Sequence, residues 1–388
     1  MAFYFWELKR WRRCRDIIVI MLTKKELIDQ LAVLVACESL SGNVTENKKA
    51  LDHVTGWLDK SAFVKRVQNG KAEILIAGNI DILTPDVAYL VHMDVVAGTP
   101  DQFKMKIDGD KLIGRGTSDM KFSVPIGIAL LNELIGNDKL NFALVITTDE
   151  EVGGFEGTNY LVNEMGYKPK LLIVPDGGDN FVFVDKAKGV CQLFVESKGV
   201  PAHASRVWLG KNALEPLVEL SHQLMVKYRE NNARESWKTT MNIGVFEGGI
   251  SVNQVCASGI LKLDFRFPET ESEEEITKEV TELAKKIDPQ LKITSGVGGL
   301  PTFTDKNLPI VTKFLKIMAK AVGSEIAVKP TYGASDARWF SGQNTPVLMI
   351  KPIGGEIHSN DEWISLSSCL KFYEGIHGFL LVCYRNHR

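Results

Sequence analysis

Cysteine is sparse in this 388-residue chain. The six present, Cys14, Cys37, Cys191, Cys256, Cys369 and Cys383, are scattered with no C-x-x-C pair. That pattern reads as buried free thiols in a reducing cytoplasm rather than as a disulfide framework. A charge excess is also missing, with 46 Lys+Arg against 48 Asp+Glu. No basic stripe points to nucleic acid, and none beyond the N-terminus points to a membrane surface. Long apolar runs are absent. The early run Ile17–Leu22 is too short for a signal segment and far below the roughly 20 residues a spanning helix needs. Phosphate-cradling glycine loops are missing too: Gly114-Arg115-Gly116 lacks the third glycine of a dinucleotide loop, so a nucleotide-binding reading has no support.

What is there is ordinary globular material, 45% hydrophobic, in a chain long enough for two domains or for one with a large insertion. Lys9, Arg10, Arg12, Arg13 and Arg15 crowd the start. Residues 1–20 are expected to be a non-structured extension, with Met21 as the natural start. From Thr23 a helix is expected, with Thr23 as cap and Leu27, Ile28, Leu31 and Leu34 at helical spacing.

Three apolar runs, Ala88–Val91, Phe142–Thr147 and Leu171–Val174, read as buried parallel strands. Helical stretches at Lys121–Ile135 and Gly157–Met165 separate them. The β-α-β-α-β rhythm predicts an α/β fold, an open and mostly parallel sheet flanked by helices. From about Val190 to Ser295 the order changes to strand (Val190–Glu196), helix (Ala213–Arg229), strands (Thr240–Phe246 and Gly259–Phe267), helix (Ser272–Ile287) and strand (Leu291–Ser295). This is a complete ferredoxin-like α+β unit inserted into the first domain. The expected domains are therefore 21–189, an insertion at 190–296, and a return to the first domain at 297–388.

Five segments place metal-type ligands where this edge-of-sheet architecture gathers them: His92 with Asp94, Asp119 after Gly-Arg-Gly-Thr-Ser, Glu151 beside Glu150, Asp176 after Leu-Leu-Ile-Val-Pro, and His358 after Gly354-Gly355. Open α/β sheets bind ligands beyond their strand C-termini. Two histidines and three carboxylates suit zinc or a similar divalent ion. In a strand, i and i+2 share a face, so Asp94 can fix the His92 tautomer through its far nitrogen. Each segment alone has a plainer reading. His92-x-Asp94 is an ordinary strand end, Ser118 or Asp119 an ordinary helix cap, Glu150-Glu151 and Asp176 turn residues, and His358 a loop residue. Their joint occurrence is what argues for a centre.

Together these segments resemble a family of two-metal exopeptidases and deacylases that includes acetylornithine deacetylase, succinyl-diaminopimelate desuccinylase, carboxypeptidase G, aminoacylase and the carnosine-type dipeptidases. The resemblance runs from about Thr23 to Phe379. It implies that His92, Asp119 and Asp176 hold one metal and Asp119, Glu151 and His358 the other, most simply zinc, with cobalt or manganese as alternatives. It also implies that Asp94 orients His92, that Glu150 is the general base, and that a cis peptide links Asp119 to Met120. The first domain would be catalytic and the insertion a lid and dimerisation domain. Gly199–Ser205 resembles the segment whose histidine, here His203, reaches the partner subunit's site. Asn253 and Arg266 resemble lid residues that meet substrate, and Gly333–Arg338, with Gly333 and Ser335, resembles a substrate-anchoring loop. Many deacylases of this family carry Glu where Asp176 stands, while dipeptidase-like members carry Asp.

The expected activity is hydrolysis of an amide or peptide bond in a small substrate with a free carboxylate, an N-acyl amino acid or a short peptide, by a homodimeric cytoplasmic enzyme. A dipeptidase or aminopeptidase is the alternative within catalysis. A non-catalytic binding or assembly relative is the alternative outside it, and a lost base or ligand would signal that.

Overall fold

The computed structural model describes residues 22–385. The expected extension at 1–20 and the Met21 start lie outside the described residues. The chain divides into two compact units. The first holds the residues up to Glu151, Lys316–Ser324 and those from Pro352 on; the second holds Val152–Leu315 and Glu325–Lys351.

In the first unit, the helix Lys24–Ala36 starts at a capping box in which Thr23 and Glu26 satisfy each other's backbone amides. Leu27, Leu31, Leu34 and Val35 bury one face. The strands Ala72–Gly78, Val87–His92 and Phe142–Thr147 are buried at every position. Phe142–Thr147 lies between the other two, parallel to Val87–His92 and antiparallel to Ala72–Gly78, and Phe63–Asn69 pairs antiparallel at the edge. The parallel register sets His92 opposite Thr147. Both strands therefore end together, and Asp94, Glu150 and Glu151 follow from the same edge. The helix Ser123–Leu134 is buried along nearly its whole length. It begins later than the expected Lys121, because Asp119 and Met120 have non-helical φ/ψ and a cis peptide joins them. Neither Ser118 nor Asp119 caps it.

A small antiparallel sheet positions the last ligand candidate. Gly354–Gly355 pairs with Trp363–Ser365, which pairs with Lys111–Ile113 in the register Trp363–Ile113 and Ile364–Leu112. The loop carrying His358 is thereby fastened beside the strand that leads into Gly114–Asp119.

In the second unit, Leu172–Val174 runs parallel to Val347–Met349, and Phe183–Ala187 parallel to Val328–Thr331. The ferredoxin-like unit is present, with strands in the order Thr240–Gly248, Ser258–Phe267, Gly189–Lys198, Lys292–Gly299, all antiparallel. Apolar residues alternate along Ser258–Phe267, so Leu261, Leu263, Phe265 and Phe267 face one side. The helices Leu214–Asn232 and Glu273–Ile287 cover that side through Leu217, Leu220, Leu224, Ile276 and Val280. The last strand runs on to Gly299, beyond the expected Ser295, through an irregularity between Ser295 and Gly298.

Candidate metal centre

His92 closes its strand with only 2% of its surface exposed. Its Nδ1 lies 3.0 Å from the backbone carbonyl of Asp94, and its Nε2 lies 3.3 Å from Asp119 Oδ1. A carbonyl on Nδ1 fixes the ring so that Nε2 faces the acids. The Asp94 carboxylate also lies near this nitrogen, with Oδ1 3.6 Å from Nδ1. The same carboxylate accepts the backbone amides of Glu150 and Glu151, each at 3.1 Å, and the Ser41 hydroxyl at 2.7 Å. Asp94 thus stands between His92 and the two glutamates, touching the ring with its carbonyl and the glutamate backbone with its side chain.

Asp119 uses its two oxygens differently. Oδ1 faces His92, while Oδ2 lies 3.4 Å from His358 Nε2. His358 Nε2 is also 3.2 Å from Glu151 Oε2. Asp119, Glu151 and His358 bring their ligand atoms within 4.8 Å of one another, and His92 and Glu150 are as close to each other. His358 and Glu356 hold positive φ values of 64° and 55°, a conformation non-glycine residues avoid unless neighbouring structure enforces it. The flanking strand pairs supply that enforcement.

The electrostatics fit a cation. Burial pushes the Glu151 carboxyl up to about 7, with the Asp119 charge adding to it against the pull of His92. The hydrogen bond to Asp119 raises His358 to about 9, with the Glu151 charge helping. Burial pulls the His92 imidazolium down, yet hydrogen bonds to Asp119 and Asp94 and the Glu150 charge leave it well above the ordinary range. Clustered acids that drive up the basicity of every neighbour form a site short of positive charge. Imidazole nitrogens and carboxylates are the donors that zinc and similar divalent ions take.

The remaining expected residues lie in the second unit. Asp176 follows the strand Leu172–Val174 and is half-buried. His203 is exposed, and its Nδ1 accepts the Ser205 amide. The Ala204 amide donates to the Asn253 carbonyl at 2.9 Å, so His203 and Asn253 are neighbours in space. Arg266 donates to both oxygens of Asp264, at 2.7 and 3.3 Å. Gly333 is exposed with open space about it. Ser335 is buried, and its hydroxyl caps the turn Asp336–Gln343 by accepting the Ala337 amide.

Sequence reasoning missed four residues of the centre. Glu362 is fully buried, and its Oε1 accepts the amides of Ser118 and Asp119 at 2.9 and 3.0 Å. Arg115 pairs with Glu362 Oε2 at 2.7 Å. Lys121 is fully buried, with its ammonium on the carbonyls of Leu34 and Cys37 at the end of the first helix. Ser41 holds Asp94. The only sequence signal was that charged residues flank the ligand motifs.

Comparisons agree with the geometry. Residues 88–381 match the model of peptidase family M20/M25/M40. The chain is 25% identical over 313 residues to a succinyl-diaminopimelate desuccinylase of Marinobacter nauticus, covering 75% of this chain and 82% of that one. Its fold is similar to that of a tripeptidase from Staphylococcus aureus (TM-score 0.76, 20% identity, 94% of this chain and 100% of that one). A metallo-carboxypeptidase of Sulfolobus solfataricus is equally similar in fold (TM-score 0.76, 17% identity, 92% and 99%). Among the described residues no helix is long and apolar enough to cross a membrane. With a family model spanning most of its length and divalent-metal donors gathered at one sheet edge, the chain belongs to the M20/M25/M40 peptidase family of metallohydrolases.

Proposed function

We propose that this enzyme hydrolyses the amide bond of a small carboxylate-bearing substrate, an N-acyl amino acid or short peptide, with two divalent cations, zinc in the first instance and cobalt or manganese as substitutes. His92, Asp119 and Asp176 hold one and Asp119, Glu151 and His358 the other. The observation that carries this reading is the division of Asp119, one oxygen toward His92 and the other toward His358. Asp176 joins it on its place directly after a buried strand, the kind of placement that His92 and Glu151 share.

Held by these residues, a cation pair would supply Lewis acidity to the scissile carbonyl and to the attacking water. Glu150 takes that water's proton and delivers it to the leaving amine. The Asp94 carboxylate fixes the Glu150 backbone so that its side chain stays in reach. His203 of a second subunit donates a hydrogen bond to the carbonyl oxygen as charge develops there. Asn253 and Arg266 meet the substrate's polar end, Arg266 in the orientation that Asp264 imposes. Gly333 and Ser335 meet the substrate from their loop, where the Ser335 hydroxyl also accepts the Ala337 amide.

The dimer forms through the ferredoxin-like unit. Ile250 and Val252 are 91% and 101% exposed, and Val207, Trp208 and Leu209 near His203 are also exposed. Contiguous apolar surface of this kind supports association. The enzyme would work in the cytoplasm, where buried Cys37, Cys191, Cys256 and Cys369 stay as free thiols.

A di- or tripeptide substrate is the second reading, and Asp176 favours it: one methylene shorter than Glu, it shifts its metal relative to the pocket. Hydrolysis of a panel of N-acyl amino acids against di- and tripeptides by the zinc-loaded enzyme decides. Turnover of acylated amino acids makes the enzyme a deacylase, turnover of peptides alone supports the second reading, and no amide cleavage contradicts both.

A further inference from the structure

Arg115 and Glu362 form an ion pair whose side chains are 3% and 0% exposed. A buried pair of this kind rarely stabilises a fold better than apolar residues of the same size would. What this pair holds is more telling. Both Glu362 oxygens are engaged, one by the Ser118 and Asp119 amides and the other by Arg115. From Arg115 a second nitrogen, Nη2, reaches the carbonyls of Ala97 and His358, each at 3.3 Å. One carboxylate therefore anchors the backbone of Asp119, and its partner anchors the backbone of His358. Backbone pairing reinforces the link, since the Gly114 amide donates to the Glu362 carbonyl at 2.9 Å. Gly116 has a φ of +82°, and a Cβ there would meet Val95 and Lys121 at 2.8 and 2.9 Å. The Arg115 segment thus has one backbone path.

We propose that Arg115 and Glu362 are a positioning pair that sets the spacing between Asp119 and His358 and thereby the affinity for the cation these two share with Glu151. The proposal rests on the two-metal reading above. It assigns no contact with substrate to either residue. Lysine is not equivalent to Arg115, because it lacks the fork whose separate nitrogens reach the Glu362 carboxylate and the two carbonyls. Glutamine at 362 keeps an acceptor for the amides and loses the charge that holds Arg115.

The test is titration of the metal-free chain with zinc, and with cobalt for its visible spectrum, comparing wild type with Arg115→Lys and Glu362→Gln. Wild type should bind two cations. Each variant should bind the first within about threefold of wild type and the second some 10- to 100-fold more weakly, as for other residues that orient ligands. A merely structural role would lower the melting temperature and weaken both cations alike. In a His358→Ala background, Arg115→Lys should add less than about threefold to the loss of the second cation, because its main route of action is gone. If Glu362→Gln fails to fold, Arg115→Lys carries the test. Two cations bound as in wild type, or both weakened equally, overturn the proposal. A wild-type chain that takes up fewer than two removes the two-metal reading and the pair's role with it.

Discussion

Glu150 and Glu151 are neighbours in sequence with different tasks. Their amides hang from the two oxygens of one carboxylate, Asp94, and Glu151 alone joins Asp119 and His358. Glu150→Gln should retain its metal content and lower kcat by about 10²–10⁴-fold, because only proton transfer is lost. Glu151→Gln should lose metal instead. Metal analysis beside steady-state kinetics checks both, and near wild-type turnover in metal-loaded Glu150→Gln would remove it as the base. The ligand candidates were legible as residue types, His92, Glu151 and Asp176 just past strands, Asp119 and His358 on loops that follow glycines. What orients those ligands was not. Asp94 was visible, but its carboxylate's partners, the Glu150 and Glu151 amides, are set by how two strand ends meet in register. The Arg115–Glu362 pair joins residues 247 apart, a distance no local pattern bridges.

Elements were more legible, because periodicity reports burial directly. The strands Val87–His92 and Phe142–Thr147 and the helix Glu273–Ile287 follow the sequence signals closely. The helix Ser123–Leu134 starts later than expected, because the backbone at Asp119 and Met120 is not helical. Within that helix Gly127 is a packing residue: a Cβ there would stand 2.7 Å from Leu144 Cδ1 and 3.0 Å from Tyr89 Cδ1. Helix propensity alone would favour alanine by up to about 1 kcal/mol. Leu144 and Tyr89 are fully buried, so the added methyl has nowhere to go. Gly127→Ala should destabilise by about 1–3 kcal/mol, read from urea unfolding, and a stabilised variant would show that the neighbours yield. At an exposed helix cap the cause is different. Ser272→Ala removes the acceptor for the Glu275 amide and should cost about 1 kcal/mol with activity unchanged.

At the scale of the whole molecule, His203 belongs to the second compact unit, in its ferredoxin-like part, while His92, Asp119, Glu151 and His358 belong to the first. If His203 acts in trans, His203→Ala should keep its metal and turn over poorly. Co-refolding it with Glu150→Gln should restore activity, since a mixed dimer contains one site with both an intact base and a donated histidine. No recovery in verified heterodimers would show that His203 does not act across an interface. The order of strands and helices made the inserted unit legible. The proposed contribution of a partner subunit was not legible in composition and rests on the resemblance of Gly199–Ser205.

The claim on which the rest depends is that Asp119 is shared between two cations. The most direct measurement is zinc stoichiometry of the metal-free chain, by calorimetry with elemental analysis, for wild type, Asp119→Ala and Glu151→Ala. The account predicts two zinc ions per wild-type chain, about one in Glu151→Ala, and weakened binding of both in Asp119→Ala, because only Asp119 faces both histidines. Two tightly held ions in Asp119→Ala, or none in wild type, would contradict it.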